Sequence, residues 1–217
     1  MKKHLFILSL LSLCNLTYSQ TKWPIWSHHD FDADRVNGLS FGLGSYIDKY
    51  TDVNGLKIDI PGIGVFIPMG LGSDPYFEST DSLTIKHFKE LQIQLTDSII
   101  FTTNGCYLSL SGDSEGEING LSVHPIGGKN QISNGISIFG IMGFSTLNQG
   151  LMMTVLYSSV SKSKGMIISG MINQVVSMDG LQIGLFNRSL ITKGVQIGLW
   201  NRNEKRSLPI INWNFEN

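Results

Sequence analysis

Seven glycines recur at nearly constant spacing through the C-terminal half of the chain, and this recurrence constrains the fold more than any other feature. Successive members are separated by 15, 15, 15, 15, 15 and 14 residues. The glycines are Gly105, Gly120, Gly135, Gly150, Gly165, Gly180 and Gly194. A fixed period of this kind indicates a repeat architecture, in which each unit is stabilised by packing against its neighbours.

Each unit is predicted to open with a turn and to continue as a strand. Glycine suits a left-handed or tight backbone site that a β-carbon would hinder. Apolar residues follow at alternate positions, as in Leu151, Met153 and Val155, and this alternation predicts a strand whose apolar side faces a core. On this interpretation Gln182 and Gln196 point away from the core.

The length of one unit favours a stack of coils. A unit of this length spans at most about 50 Å of extended chain, enough to close one narrow coil of two opposed strands. Coils spaced about 4.8 Å apart would make a rod of roughly 34 Å. The prediction is an all-β repeat array, a β-solenoid-like stack of about seven units of 14–15 residues. The alternative is an antiparallel meander or a small β-barrel, and the direction of strand pairing between residues 180 and 202 decides between them.

Residues 1–19 predict a signal peptide for export. Lys2 and Lys3 form a positive start, and the apolar run Leu5–Leu13 that follows is too short to span a bilayer. Ser19 is a small residue suited to cleavage, which would leave Gln20 at the mature N-terminus. The chain is therefore expected to act outside the cytoplasm, in the periplasm, at the outer membrane or at the cell surface.

The two cysteines carry separate predictions. Cys14 raises the alternative of a lipoprotein, although Leu13 stands where a lipid-modified cysteine normally follows a small residue. Cys106 is then the only cysteine of the mature chain, so no internal disulfide can form and stability must come from packing. Its position inside a repeat strand favours an inert core residue over a nucleophile.

The remainder of the chain divides around the repeats. Residues 20–103 are predicted to form an N-terminal arm with degenerate strands, at Gly38 and Gly55, and an inserted loop or short helix around Ser82–Leu95. Residues 104–217 are the β-repeat domain, whose tail Ser207–Phe215 is expected to cap the last unit. The aromatic residues expected to close the core at this end are Phe186, Trp200, Trp213 and Phe215.

No catalytic, cofactor-binding or metal-binding residue is predicted. One cluster has metal-ligand side chains, namely His28, His29, Asp30, Asp32 and Asp34. A calcium loop starting at Asp30 would need glycine and glutamate where the sequence has Arg35 and Phe41, so a solvated arm is the interpretation. The acidic turn of Asp113, Glu115 and Glu117 holds the weak candidates for acid–base work on a sugar.

Charge excludes one class of partner. Only 15% of residues are charged and the formal net charge is −1, so there is no electrostatic argument for binding nucleic acid. Glycine and β-branched residues are abundant instead, which suits short strands and turns.

Two neighbouring units are nearly identical. The segment Gly180-Leu-Gln-Ile-Gly-Leu-Phe-Asn187 matches Gly194-Val-Gln-Ile-Gly-Leu-Trp-Asn201, and Asn187 and Asn201 are expected to hydrogen-bond from coil to coil. These segments, with the ending Arg206-Ser-Leu-Pro-Ile-Ile-Asn-Trp213, resemble bacterial surface-repeat proteins of unknown function that carry tandem units of this type behind a signal peptide. The resemblance implies an envelope or surface location and no established catalytic residue.

The function expected is that of an exported, non-enzymatic protein of the cell envelope or surface, with a structural or interaction role and an envelope protein or glycan as partner. One alternative is an outer-membrane β-barrel-like protein. A second is an extracellular glycan-active enzyme that uses Asp113, Glu115 or Glu117.

Overall fold

The computed structural model describes residues 35–43, 50–60, 99 and 101–215, and within these residues it is all β and contains no helix. The described residues form ten strands of one sheet, in the order of the sequence. They are β1 Arg35–Leu43, β2 Thr51–Ile60, β3 Phe101–Ser109, β4 Ser111–His124, β5 Gly127–Phe139, β6 Met142–Thr154, β7 Tyr157–Ser169, β8 Ile172–Ile183, β9 Phe186–Arg202 and β10 Ser207–Asn214.

Strands β1 to β9 pair in parallel, so the chain is a β-solenoid of stacked coils. Each repeat glycine pairs with the glycine of the next unit, and the pairing of Gly180 with Gly194 is parallel, which excludes the antiparallel meander. The backbone setting repeats as well, with φ of 135° at Gly135, 138° at Gly150 and 135° at Gly165. The predicted fold class is confirmed.

The stack extends further toward the N-terminus than the seven predicted units. Gly38 of β1 pairs with Gly55 of β2, and Gly55 pairs with Gly105 of β3, so these strands occupy the same register as the later coils. Strands β2 and β3 pair directly although residues 61–100 separate them in the sequence. The predicted loop or helix at Ser82–Leu95 and everything before residue 35 lie outside the described residues.

The repeat glycines form one corner of every coil, and we call them the corner glycines. Their φ values lie between 125° and 145°, a region that side chains with a β-carbon rarely adopt. A β-carbon on Gly150 would lie 2.1 Å from the carbonyl oxygen of Gly135 in the coil below. Only glycine therefore allows successive corners to stack at the sheet spacing.

The predicted orientation of the strands is wrong. The aliphatic side chains that follow each corner glycine point outward, and Val155 is 61% exposed. Gln182 and Gln196, predicted to lie on the outer face, are completely buried. The inward side chains are the second and fourth after the corner glycine, as at Met152 and Thr154.

The interior combines small apolar clusters with ladders of polar side chains. One cluster joins four coils and consists of Phe139, Met152, Val160, Ile167, Val175 and Met178. A buried amide ladder continues to the C-terminal end, where Nδ2 of Asn173 donates to Oδ1 of Asn187 (2.8 Å) and Nδ2 of Asn187 donates to Oδ1 of Asn201 (2.7 Å). The predicted hydrogen bond between Asn187 and Asn201 is confirmed. Buried amides are tolerated because they are paired along the stack.

The tail predicted to cap the last unit forms β10, which runs antiparallel to β9. Asn212 of β10 is buried and its Nδ2 donates to Oε1 of Gln196 (3.3 Å), so the strand closes the polar interior. The pairing is interrupted between Leu208 and Ile210, on either side of Pro209, and Ile210 has φ of 67°.

The aromatic residues at this end do not close the core. Trp200 is 49% exposed and Phe215 65% exposed, and the amide ladder fills the space predicted for them. Phe186 and Trp213 are exposed in the same way.

Candidate functional site

The outward aliphatic residues form a continuous surface that crosses nine strands. It consists of the first and third residues after each corner glycine, which stack in two columns, and we call it the apolar face. The first column is Leu39, Leu56, Cys106, Leu121, Ile136, Leu151, Met166, Leu181 and Val195. The second column is Phe41, Ile58, Leu108, Val123, Ile138, Met153, Ile168, Ile183 and Ile197.

No charged or hydrogen-bonding side chain other than the Cys106 thiol interrupts these columns, and none of their members is buried. The fifth position after the corner glycine continues the surface into the turns, where Val155, Leu185 and Leu199 are exposed. Five residues by nine strands correspond to about 700 Å² of sheet surface. The largest apolar patch of a typical monomer is about 300–600 Å², and larger patches mark interaction surfaces.

A polar border runs along the corner-glycine side of the apolar face. The residue before each corner glycine forms this column, which begins with five asparagines joined side chain to side chain. Nδ2 of Asn54 donates to Asn37 (2.8 Å), and Nδ2 of Asn134 donates to Asn119 (2.7 Å). Later members of the column are Gln149, Lys164, Asp179 and Lys193. The border is therefore neutral along most of its length and mixed in charge at its end.

Titratable side chains gather inside the coils rather than on the apolar face. Nζ of Lys57 forms an ion pair with Asp59 and lies 4.0 Å from the ring centroid of Phe101 and 4.7 Å from that of Tyr107. Burial lowers the pKa of Lys57, and burial raises the pKa of Tyr107. The ring of His124 stacks on the ring of Phe139 in the next coil, with a centroid-to-centroid distance of 4.8 Å and an interplanar angle of 10°.

His124 has no solvent exposure, and burial lowers its pKa from the ordinary 6.5 to about 4. Its Nε2 lies 3.1 Å from Oδ1 of Asn130, a hydrogen bond that offsets part of this effect. The charge of Asp59 raises the pKa of His124 and the charge of Lys57 lowers it. Lys57, Tyr107 and His124 are buried and lie where a substrate in solution does not reach.

The pKa of His124 gives a testable pH dependence of stability. Between pH 6.5 and about 4 the unfolded chain binds a proton at this histidine that the folded chain does not, so stability falls as the pH falls and is unaffected above pH 6.5. The expected contribution is about 3 kcal/mol across this window. It is measured as the free energy of unfolding in urea at several pH values.

The matched control is His124→Phe, because phenylalanine already occupies the equivalent position in the next coil, at Phe139. The difference in stability between the two proteins should change with pH in this window and be constant above it. A difference that does not change between pH 7 and pH 4 would contradict the assignment of a buried neutral histidine.

Lysines cluster in a groove beside the C-terminal coils. Its lining includes Lys162, Lys164, Lys193 and Lys205 together with Asp179 and Glu204. In the register Asp179 lies between Lys164 and Lys193, so positive and negative charges alternate along this column. This alternation leaves only a weak positive field for an anionic ligand.

Of the three acidic residues considered for catalysis, the structure describes the side chain of only one. Glu117 accepts a hydrogen bond from Nδ2 of Asn134 (2.8 Å), which ties it to the polar border, whereas the side chains of Asp113 and Glu115 lie outside the described ones. The segment predicted as an acidic turn belongs to strand β4, with an irregularity between Ser114 and Glu117.

Two further predictions concern reactive and metal-binding groups. Cys106 is a free thiol on the partly exposed apolar face, so its assignment as a core residue is wrong. The histidine and aspartate cluster at residues 28–34 lies outside the described residues. Within the described part of the chain, no three His, Cys, Asp or Glu side chains come together as metal ligands.

The apolar face escaped the sequence analysis because alternation does not say which parity faces inward. A usable signal was present in Gln182 and Gln196, identical residues at equivalent positions, where Nε2 of Gln196 donates to Oε1 of Gln182 (2.7 Å). Identical amides in register form ladders between stacked strands.

Comparison with protein-family models, with curated proteins and with solved structures finds no match to this chain. In the described part of the structure, helices of the length and hydropathy needed to cross a bilayer are absent.

Proposed function

We propose that this chain is an exported, non-enzymatic protein of the cell envelope or surface, whose solenoid holds the apolar face in place for an interaction. The observation that supports the proposal is the apolar face itself. Exposing this much aliphatic surface to water is unfavourable by about 25 cal/mol per Å², so a partner that covers it gains a large driving force.

The arrangement of the coils suits a binding platform. Within the described sheet, the outward side chains of β2 to β9 are held by strands paired on both sides, and the corner glycines keep all coils in one register. Little conformational entropy is therefore lost when the surface is covered. The Lys57, Tyr107 and His124 side chains, which have the chemistry for catalysis, are buried and serve the interior instead.

Export is supported by the sequence of residues 1–19, and it provides the experimental test. Expressed in a bacterium with an outer membrane, the chain is expected to be processed after Ser19, to begin at Gln20, and to be found in the envelope or medium. Intact mass and subcellular fractionation measure both outcomes. The control is Leu8→Arg, which interrupts the apolar run and should leave an unprocessed chain in the cytoplasm. A wild-type chain that keeps residues 1–19 and remains in the cytoplasm would show the proposal to be wrong.

A further inference from the structure

We propose that the apolar face is the interface of a homodimer, in which two copies of this chain pack sheet against sheet. The inference rests on the proposed function in taking this face as the interaction surface, and it adds the identity of the partner.

The geometry of the apolar face suits a second copy of itself. Its side chains form a regular lattice, about 4.8 Å apart between strands and about 6.6 Å apart along a strand. Two such lattices can interdigitate as the inner faces of a β-sandwich do, with the sheets about 10 Å apart. A surface that matches itself is the requirement for a two-fold symmetric interface.

The area is sufficient for a stable dimer. About 700 Å² from each copy gives about 1,400 Å² in total, within the range of about 1,200–2,000 Å² that specific interfaces bury. The residues covered would be uncharged, so no ion would lose its hydration without a partner.

The border of the face favours a protein partner over a lipid surface. Surfaces that bind anionic membranes surround their apolar residues with lysine and arginine. Here the border of the apolar face begins with five asparagines, namely Asn37, Asn54, Asn104, Asn119 and Asn134. The border is neutral at six of its nine positions and alternates in sign at Lys164, Asp179 and Lys193, so it is not the uniformly basic rim of a membrane-binding surface. An aliphatic centre with a polar rim is the anatomy of a protein interface.

Symmetry predicts which residues meet. The corner glycine Gly135 belongs to the fifth of the nine coils between Gly38 and Gly194. Whether the two-fold axis runs along the strands or along the stack, this middle coil lies opposite its own copy. Ile136 and Ile138 therefore contact the same residues of the second copy, and Ile138 is 39% exposed in the single chain.

The first test measures molar mass by size-exclusion chromatography with light scattering. The purified wild-type protein is expected to have twice the mass of one chain. The variant Ile136→Lys/Ile138→Lys is expected to be monomeric, with dimer affinity weakened about 100-fold or more, because its lysines would be buried without partners. The control Ser177→Lys/Ser207→Lys adds the same charge at partly or fully exposed positions outside the apolar face and is expected to remain a dimer.

The second test does not depend on the behaviour of charged variants. In a background with Cys14 and Cys106 replaced by alanine, Ile138→Cys is expected to form dimers with a short bis-maleimide, whereas Lys162→Cys is not. A wild-type protein that remains a monomer in light scattering at every concentration up to its solubility limit would overturn the proposal, whether or not it binds vesicles of phosphatidylcholine and phosphatidylglycerol. So would a dimer that survives both lysines at positions 136 and 138. Because both tests use purified protein, a chain retained in the cytoplasm would refute the proposed export without affecting the dimer.

Discussion

Replacing Gly150 with alanine is expected to destabilise the protein by about 3 kcal/mol or more, or to prevent folding. The new β-carbon would lie 2.1 Å from the carbonyl oxygen of Gly135, which is backbone and cannot rotate away. The φ of 138° adds strain that alanine does not tolerate. Coils would have to separate at this corner, and neighbouring coils depend on each other for stability. The free energy of unfolding in urea measures the effect.

The control is Gln149→Ala, at the exposed position just before the corner. It changes a side chain of the polar border and leaves the backbone conformation unaltered, so the expected cost is within about 0.5 kcal/mol. If Gly150→Ala and Gln149→Ala proved equally stable, the corner glycines would not be required for stacking.

Replacing Asn187 with aspartate is expected to cost about 3–5 kcal/mol at pH 7, although the two side chains have the same shape. Nδ2 of Asn187 donates to the carbonyl oxygens of Gly184 (3.0 Å) and Ile197 (2.9 Å), as well as to the side chain of Asn201. Aspartate would place a charged acceptor against these acceptors in a buried site. The expected loss is measured as the difference in unfolding free energy from the wild type.

The cost at position 187 should depend on pH in a defined direction. Burial among acceptors would raise the pKa of the new carboxyl above its unfolded value of about 3.9, so the penalty is largest at neutral pH and shrinks as the pH falls toward that value. The control is Asn104→Asp in the exposed asparagine column, expected to cost less than about 1 kcal/mol. Equal losses for the two variants would contradict a buried ladder.

The register of the solenoid could be predicted from the sequence because a single steric requirement sets it. Wherever a coil turns its corner against the coil below, a β-carbon is excluded, so glycine marks the position in every unit, including the degenerate ones at Gly38 and Gly55. The strand that follows each corner glycine could also be predicted, because apolar residues occupy alternate positions there. Parallel stacking then follows from units too short to contain a helix and a return strand.

The inward and outward sides could not be predicted by the same reasoning. Alternation in Leu181, Gln182 and Ile183 is compatible with either parity, and the usual preference for apolar residues inside selected the wrong one. In a coil this narrow, the interior accepts small or amide side chains that hydrogen-bond to the coils above and below. The apolar face was missed for the same reason, since it consists of the residues assigned to the core.

The antiparallel direction of β10 has a consequence for particles larger than one molecule. An open edge of a parallel stack is a template on which another molecule could add its own coils, and repetition of that step would give a filament. The edge of β9 is instead occupied by a strand of opposite polarity, which carries Pro209 and an irregular backbone at Ile210. Such a strand does not reproduce the pattern of a coil. Addition of a second molecule at this end is therefore disfavoured. The number of stacked coils is then set by the length of the chain and does not grow with protein concentration.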